Sequence, residues 1–89
     1  MESRPFVGID ISQEYLDVAV SGQKKVLRVT NDETGLQSLM CQLQEKEPEL
    51  IVMEASGGYE RRAAAVLLAA GLPVAVVNPR QARDFARSL

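Results

Sequence analysis

Two carboxylates stand at positions where apolar strands are otherwise expected. Asp10 interrupts the apolar run of residues 6–11, and Glu54 ends the apolar run of residues 49–54. A carboxylate in a core strand is costly unless it is paired, hydrogen-bonded or bound to a cation. Gly8 points to the same face as Asp10 and leaves space there for a ligand or another backbone. We favour a metal- or phosphate-facing Asp10; the alternative is that it lies at the strand end and hydrogen-bonds the turn.

Composition narrows the chemistry that these carboxylates could do. The 89 residues contain no histidine and one cysteine, Cys41. Zinc sites and Ser/His/Asp or Cys/His nucleophilic triads are therefore excluded within this sequence, and carboxylates remain as the plausible catalytic groups. A single cysteine rules out an internal disulfide and fits a reducing cytoplasm, and we interpret Cys41 as a packing residue.

The length and the hydrophobic share of 46% predict one small globular domain over residues 1–89. No apolar run approaches the roughly 20 residues of a membrane span. Charge is uneven along the chain: residues 1–59 carry five basic and ten acidic side chains, and residues 60–89 carry five arginines against two acids. The arginine-rich part could suit a phosphate-bearing partner, although solvated helix faces look the same.

Periodicity and turn residues predict an α/β order of β-β-β-α-β-α-β-α. The first three strands are joined by short turns, which make them antiparallel neighbours. An amphipathic stripe predicts the first helix, and a Pro marks its end. Because this helix precedes the fourth strand, the fourth strand can lie parallel to the first strand through a crossover connection. The predicted strands cover residues 6–11, 15–20, 25–30, 49–54 and 72–77, and the predicted helices cover residues 31–45, residues 59–70 and a segment that starts at Asn78-Pro79.

A sheet with strand order 3-2-1-4-5 would make strands one and four parallel neighbours. Asp10 and Glu54 would then lie close together near the carboxyl ends of those strands, where ligands of open α/β sheets gather. Two carboxylates repel each other unless a divalent cation lies between them. With Mg²⁺ or Mn²⁺ they could form part of a two-metal site for phosphodiester displacement. The alternative is that Glu54 caps the following turn or pairs with an arginine.

A second local site follows Glu54. Ser56, Gly57 and Gly58 precede a helix, and backbone N–H groups at a helix start can bind a phosphate. Tyr59 could stack on a base. Gly-rich turns between strand and helix are common, however, and a Tyr at a helix start is more often a packing residue.

Three separated blocks of the sequence resemble one family. They are Val7-Gly8-Ile9-Asp10-Ile11-Ser12, the block of residues 52–59 that contains Glu54-Ala55-Ser56-Gly57-Gly58, and the block of residues 76–86 that begins with Val76-Val77-Asn78-Pro79. The sequence resembles the DEDD-type transposases of bacterial insertion sequences, the IS110 group that includes the Piv-type DNA invertases.

The resemblance implies an RNase H-like (RuvC-like) mixed sheet with helices on both faces and a Mg²⁺-dependent domain that cuts and rejoins DNA. Asp10 matches the first acid of the DEDD set and Glu54 the second. The family's third and fourth acids and its C-terminal domain would follow Leu89, so we expect an N-terminal fragment that is inactive alone. Asp84 matches neither missing acid.

The resemblance also implies partners and a location. DNA, as transposon ends and target, is the expected partner in the full-length protein, in the bacterial cytoplasm and without a membrane. Contacts with nucleic acid are assigned to Ser56, Gly57, Gly58, Tyr59, Arg61, Arg80 and Arg83. A stripe of Ala82, Phe85, Ala86 and Leu89 predicts a homo-oligomer. Two other functions stay open. One is the N-terminal lobe of an actin-like sugar kinase, although such lobes carry a Gly-rich phosphate turn that residues 12–14 of this sequence do not contain. The other is a non-catalytic assembly module.

Overall fold

The structure, a computed structural model, describes residues 3–78, which fold as five strands and two helices. In chain order these elements are β1 (Phe6–Ile11), β2 (Tyr15–Val20), β3 (Leu27–Thr30), α1 (Glu33–Lys46), β4 (Leu50–Glu54), α2 (Arg61–Ala69) and β5 (Val74–Val77). The predicted helix after Asn78 lies outside the described residues. No helix in the described part of the chain has the length and apolar character needed to cross a membrane.

The five strands form one mixed sheet in the order β3-β2-β1-β4-β5, as predicted. Strands β1, β2 and β3 pair antiparallel through short turns, while β4 pairs parallel with both β1 and β5. The parallel pairing is possible because α1 carries the chain back across the sheet between β3 and β4. The first strand is therefore the central strand, and it contacts both the antiparallel and the parallel half.

One face of the sheet is buried by both described helices. Side chains of β1 alternate strictly, with Val7, Ile9 and Ile11 buried and the residues between them exposed. The buried face packs against the apolar stripe of α1 and against α2, and its core also includes Leu39 and Leu67, both fully buried. The opposite face carries Gly8 and Asp10 and is covered by neither α1 nor α2.

The start of α1 is held by its cap and packs closely on β3. Asp32 is the N-cap, and its side chain accepts a hydrogen bond from the Gly35 N–H at 2.8 Å. The Thr30 hydroxyl donates to the same carboxylate at 2.8 Å. These bonds hold the pKa of Asp32 below its usual value, the Gly35 N–H being the larger cause. Gly35 is buried against the Thr30 carbonyl, so a methyl group there would overlap backbone.

Four local predictions need correction. Strand β5 starts at Val74 and is only partly buried, with Val76 46% exposed, because it has a strand on one side only in the described sheet. Strand β3 starts at Leu27, two residues later than predicted. Helix α2 begins at Arg61, because the residues before it form a turn. Cys41 is exposed and does not pack in the core.

We predict that Gly35→Ala destabilises the fold, although Gly→Ala inside a helix ordinarily stabilises it by up to about 1 kcal/mol. The added methyl group would meet the Thr30 carbonyl and force α1 away from β3. We expect the free energy of unfolding to fall by about 1–2 kcal/mol in urea denaturation. Gln37→Ala, at an exposed position of α1, is the matched control and should change it by less than about 0.5 kcal/mol. A stabilised Gly35→Ala protein would contradict the close packing.

Candidate functional site

Asp10 projects from the uncovered face of the central strand. It is exposed, and Gly8, two residues earlier on the same face, is also exposed. A methyl group added at Gly8 would meet no atom within 4 Å, so the space beside the carboxylate is open. This agrees with the predicted role of Gly8 as a position that leaves room for a ligand.

Glu54 lies on the same face of the neighbouring strand. In the parallel register of β1 and β4, Gly8 lies opposite Val52 and Ile9 opposite Met53. Continuing this register by one residue places Asp10 beside Glu54, at the carboxyl ends of both strands. Glu54 is half-buried. The structure therefore brings the two predicted acids to one edge of the sheet, although among residues 3–78 no cluster of three or more potential metal ligands is found.

Ser12 supplies the hydrogen bonds that hold the turn after Asp10. The Ser12 hydroxyl accepts from the Tyr15 N–H and donates to the Tyr15 carbonyl, both at 3.1 Å, and its own N–H donates to that carbonyl at 2.9 Å. Because Ser12 supplies these bonds, the β1–β2 turn does not depend on the Asp10 carboxylate. This weighs against the alternative in which Asp10 serves mainly to hold the turn.

The connection after Glu54 is held by Glu60, whose role here no local sequence pattern indicates. Glu60 is buried, and its Oε1 accepts from the N–H groups of Ser56 at 2.8 Å and Gly58 at 3.1 Å. Gly57 and Gly58 have φ values of 73° and 107°, which a side chain would disfavour. Glu60, and not Glu54, is therefore the residue that caps this turn.

This arrangement changes how the predicted phosphate site is understood. The Ser56 and Gly58 N–H groups donate within the chain, so a phosphate would have to displace Glu60 to reach them. The pKa of the Glu60 carboxyl lies below its usual value, chiefly because the Ser56 N–H stabilises the charged form. The N–H groups of Glu60 itself and of Gly58, and the charge of Arg61, act in the same direction. The buried Ser56 hydroxyl has no hydrogen-bond partner among the described residues.

Asn31 joins the loops at this edge of the sheet. Its side-chain N–H₂ donates to the Ser12 carbonyl at 3.0 Å and to the Tyr59 carbonyl at 3.3 Å. Its backbone N–H donates to the Glu14 carbonyl at 2.8 Å. The turn after β1, the start of α1 and the connection after β4 are thus tied together beside Asp10 and Glu54. The local sequence does not predict these contacts of Asn31, because its partners are 19 and 28 residues away along the chain.

A third carboxylate lies on the same face, beside Asp10 on the antiparallel side. Asp17 is the direct cross-strand partner of Asp10, and Arg28 is the partner of Asp17 on the next strand. Arg28 holds Asp17 through two bonds, Nε to Oδ1 at 2.8 Å and Nη2 to Oδ2 at 3.1 Å. The Arg28 hydrogen bond is the main reason why the pKa of Asp17 is lowered.

The predicted nucleic-acid contacts are only partly within the described residues. Tyr59 is 47% exposed and Arg61 is exposed, so both could be reached by a ligand at this edge. The Arg61 side chain lies near Gly58. Arg80 and Arg83 lie outside the described residues.

Both a family model and a solved structure match this chain. A family model described as the IS110-type DEDD transposase matches residues 7–89. Among solved structures, the RuvC structure of Thermus thermophilus superposes with a TM-score of 0.51 at 17% sequence identity, over 84% of this chain and 62% of the RuvC chain. At this identity the likeness shows a shared RuvC-like, RNase H-like fold. The chain spans less than two thirds of that structure. A search of curated proteins found no match.

We predict that Glu60→Gln removes a pH-dependent part of the stability. A carboxyl whose pKa is depressed on folding stabilises the fold fully above its unfolded pKa of about 4.3, and this stabilisation is lost as pH falls through the folded pKa. The Tm of the variant should therefore lie several degrees below wild type at pH 7, and the gap should narrow as pH falls below about 4.3 and through the lower pKa of the folded state. Thermal unfolding followed by circular dichroism measures it.

Glu45→Gln, on the exposed side of α1, is the matched control and should show no such gap. Asp17 and Asp32 also have lowered pKa values, but they titrate equally in both proteins and cancel in the difference. A gap for Glu60→Gln that does not narrow between pH 7 and pH 3 would show that the charge of Glu60 does not stabilise the turn.

Proposed function

Because the chain belongs to the DEDD transposase family of the IS110 type, we propose that it supplies the N-terminal part of a catalytic domain for DNA strand cleavage and joining. The single observation that carries this proposal is the parallel register that sets Asp10 beside Glu54, at the open carboxyl edge of the sheet. The family match favours this function over the kinase lobe and the assembly module.

The residues present fit a divalent metal of the hard, oxygen-binding kind. Mg²⁺ commonly binds through one or two protein carboxylates, with water and substrate phosphate oxygens completing its octahedron. Asp10 and Glu54 would be those two carboxylates, and the space beside Gly8 leaves room for the other ligands. When bound, Mg²⁺ or Mn²⁺ would polarise the phosphodiester and stabilise charge on the attacking and leaving oxygens.

The protein's own part in this chemistry is positional. Asp10 is fixed by the central strand, which is paired on both sides, and Glu54 by the strand next to it. Glu60 and Asn31 hold the chain that follows Glu54, so the second carboxylate is anchored from both directions. Two carboxylates cannot hold two metal ions, and we therefore expect residues 1–89 alone to leave DNA uncut.

DNA is the proposed substrate and partner of the complete domain, as transposon ends and target. Arg61 and Tyr59 border the carboxylate edge and could contact the phosphate backbone and a base. Self-association through the apolar stripe of residues 82–89 remains a proposal, because that stripe lies outside the described residues.

We predict one weak Mn²⁺ site that depends on both acids. Two carboxylates supply too few ligands for a closed octahedral site, so the binding should be weak. Water-proton relaxation during a Mn²⁺ titration should detect this site, and Asp10→Asn or Glu54→Gln should weaken it at least about tenfold. Glu45→Gln, at an exposed position near the end of α1 that is remote from Asn31, is the matched control. Unchanged binding in Asp10→Asn would refute the shared site.

We further predict weak, salt-sensitive DNA binding in which Arg61 takes part. Phosphate contacts release counterions, so Arg61→Gln should lower affinity equally for unrelated sequences and reduce the salt slope by about one. Fluorescence anisotropy with labelled duplexes at several salt concentrations is the measurement. Arg4→Gln is the control, since Arg4 donates to the Glu47 carbonyl near the start of β1. Equal effects of both substitutions would indicate only a general charge effect.

A further inference from the structure

We propose that Arg28 is a positioning residue: by binding Asp17 it keeps this carboxylate from acting as a metal ligand beside Asp10 and Glu54. This inference rests on the proposed function of Asp10 and Glu54. It concerns the antiparallel side of the central strand, which the family resemblance does not address.

The sheet register places the charges in one row across the uncovered face. Arg28 on β3 faces Asp17 on β2, and Asp17 faces Asp10 on β1. Continuing the β1–β4 register adds Glu54 at the far end. Directly opposite residues in an antiparallel pair have Cβ atoms about 4.5–5.5 Å apart. Asp17 therefore lies close enough to Asp10 for the two carboxylates to reach one cation.

The Arg28–Asp17 pair is built to hold the carboxylate in one orientation. Nε and Nη2 of Arg28 donate to different oxygens of Asp17, so both oxygens are engaged by the planar guanidinium. The guanidinium carbon lies 4.7 Å from the centre of the Tyr15 ring, which supports it from one side. Tyr15 also lies at the β1–β2 turn that Ser12 holds. The Tyr15 ring therefore packs against the Arg28 guanidinium and helps to fix its position.

The pair is partly exposed, with 61% of the Arg28 side chain and 32% of the Asp17 side chain accessible, so its contribution to stability is small. The pair should affect metal binding at Asp10 more than it affects the stability of the fold. Like charges directly opposite in a sheet repel each other, and Arg28 compensates the charge of Asp17 next to Asp10. Without Arg28, Asp17 would repel Asp10 in the metal-free protein and would be free to turn toward a shared cation.

The test compares Mn²⁺ affinity in four proteins by water-proton relaxation: wild type, Arg28→Gln, Asp17→Asn and the double variant Arg28→Gln/Asp17→Asn. An additional carboxylate raises affinity for a hard divalent ion. We expect Arg28→Gln to bind Mn²⁺ about three- to tenfold more tightly than wild type. The double variant should bind as wild type does, because it keeps the local net charge and has no carboxylate at position 17. Asp17→Asn should bind no more tightly than wild type, because the unpaired Arg28 charge then repels the cation.

A metal-free measurement accompanies this test. Arg28→Gln should lower the Tm in the presence of a chelator, because Asp10 and Asp17 repel, and should show a larger rise in Tm on adding Mn²⁺ than wild type. Lys24→Gln removes the same charge in the β2–β3 turn and should leave affinity unchanged. Tighter binding that persists in the double variant would overturn the proposal, since simple loss of a positive charge would then explain it. Unchanged or weaker binding in Arg28→Gln would overturn it as well.

Failure of the proposed function gives a different result. In the variant Arg28→Gln/Asp10→Asn, Mn²⁺ binding should fall well below that of Arg28→Gln, because Asp10 is shared by both arrangements. If this variant binds as tightly as Arg28→Gln, the metal does not bind at Asp10 and the proposed site is wrong. If Asp10→Asn abolishes binding while Arg28→Gln has no effect, the site stands and only the role of Arg28 fails.

Discussion

The parallel pairing of β1 with β4 is the constraint on which the rest of the arrangement depends. These strands are separated by two further strands and a 14-residue helix along the chain, and only the crossover through α1 brings them together in the same direction. Because the strands are parallel, their carboxyl ends meet at one edge, and with them Asp10 and Glu54. An antiparallel pairing would have placed the two acids at opposite edges of the sheet.

The two faces of the sheet differ: one buries the apolar core, and the other exposes Asp10. The covered face supplies the apolar core against α1 and α2, and side-chain alternation sends every second residue of β1 to the other face. The uncovered face can therefore carry charge without the desolvation cost that a core position would impose. The initial expectation that Asp10 is costly in a core strand is resolved in this way: the strand is central, but the carboxylate is exposed.

Hydrogen bonds at the loop edge of the sheet hold the backbone that flanks Asp10 and Glu54. Asn31 connects three loops, and Ser12 hydrogen-bonds within the β1–β2 turn. Glu60 accepts hydrogen bonds from the backbone N–H groups that follow β4. An exposed carboxylate on an otherwise loose connection would sample many orientations, and a metal would then have to order it at an entropic cost. Holding the flanking backbone reduces that cost. The polar residues around the acids thus bear on the site although none of them needs to touch a ligand.

The sequence by itself determined the identity and order of the elements, the two acids and their placement at strand ends. Apolar periodicity, turn residues and the cap at Asp32 are local signals, and the three family blocks are contiguous, so each could be read without coordinates. The partners of Asn31, Glu60 and Arg28 were decided only by the tertiary structure. Asn31 and Arg28 bond across 11 to 28 residues, and Glu60 depends on positive φ angles at Gly57 and Gly58. Strand neighbours and backbone geometry set these contacts, and a one-dimensional pattern contains neither.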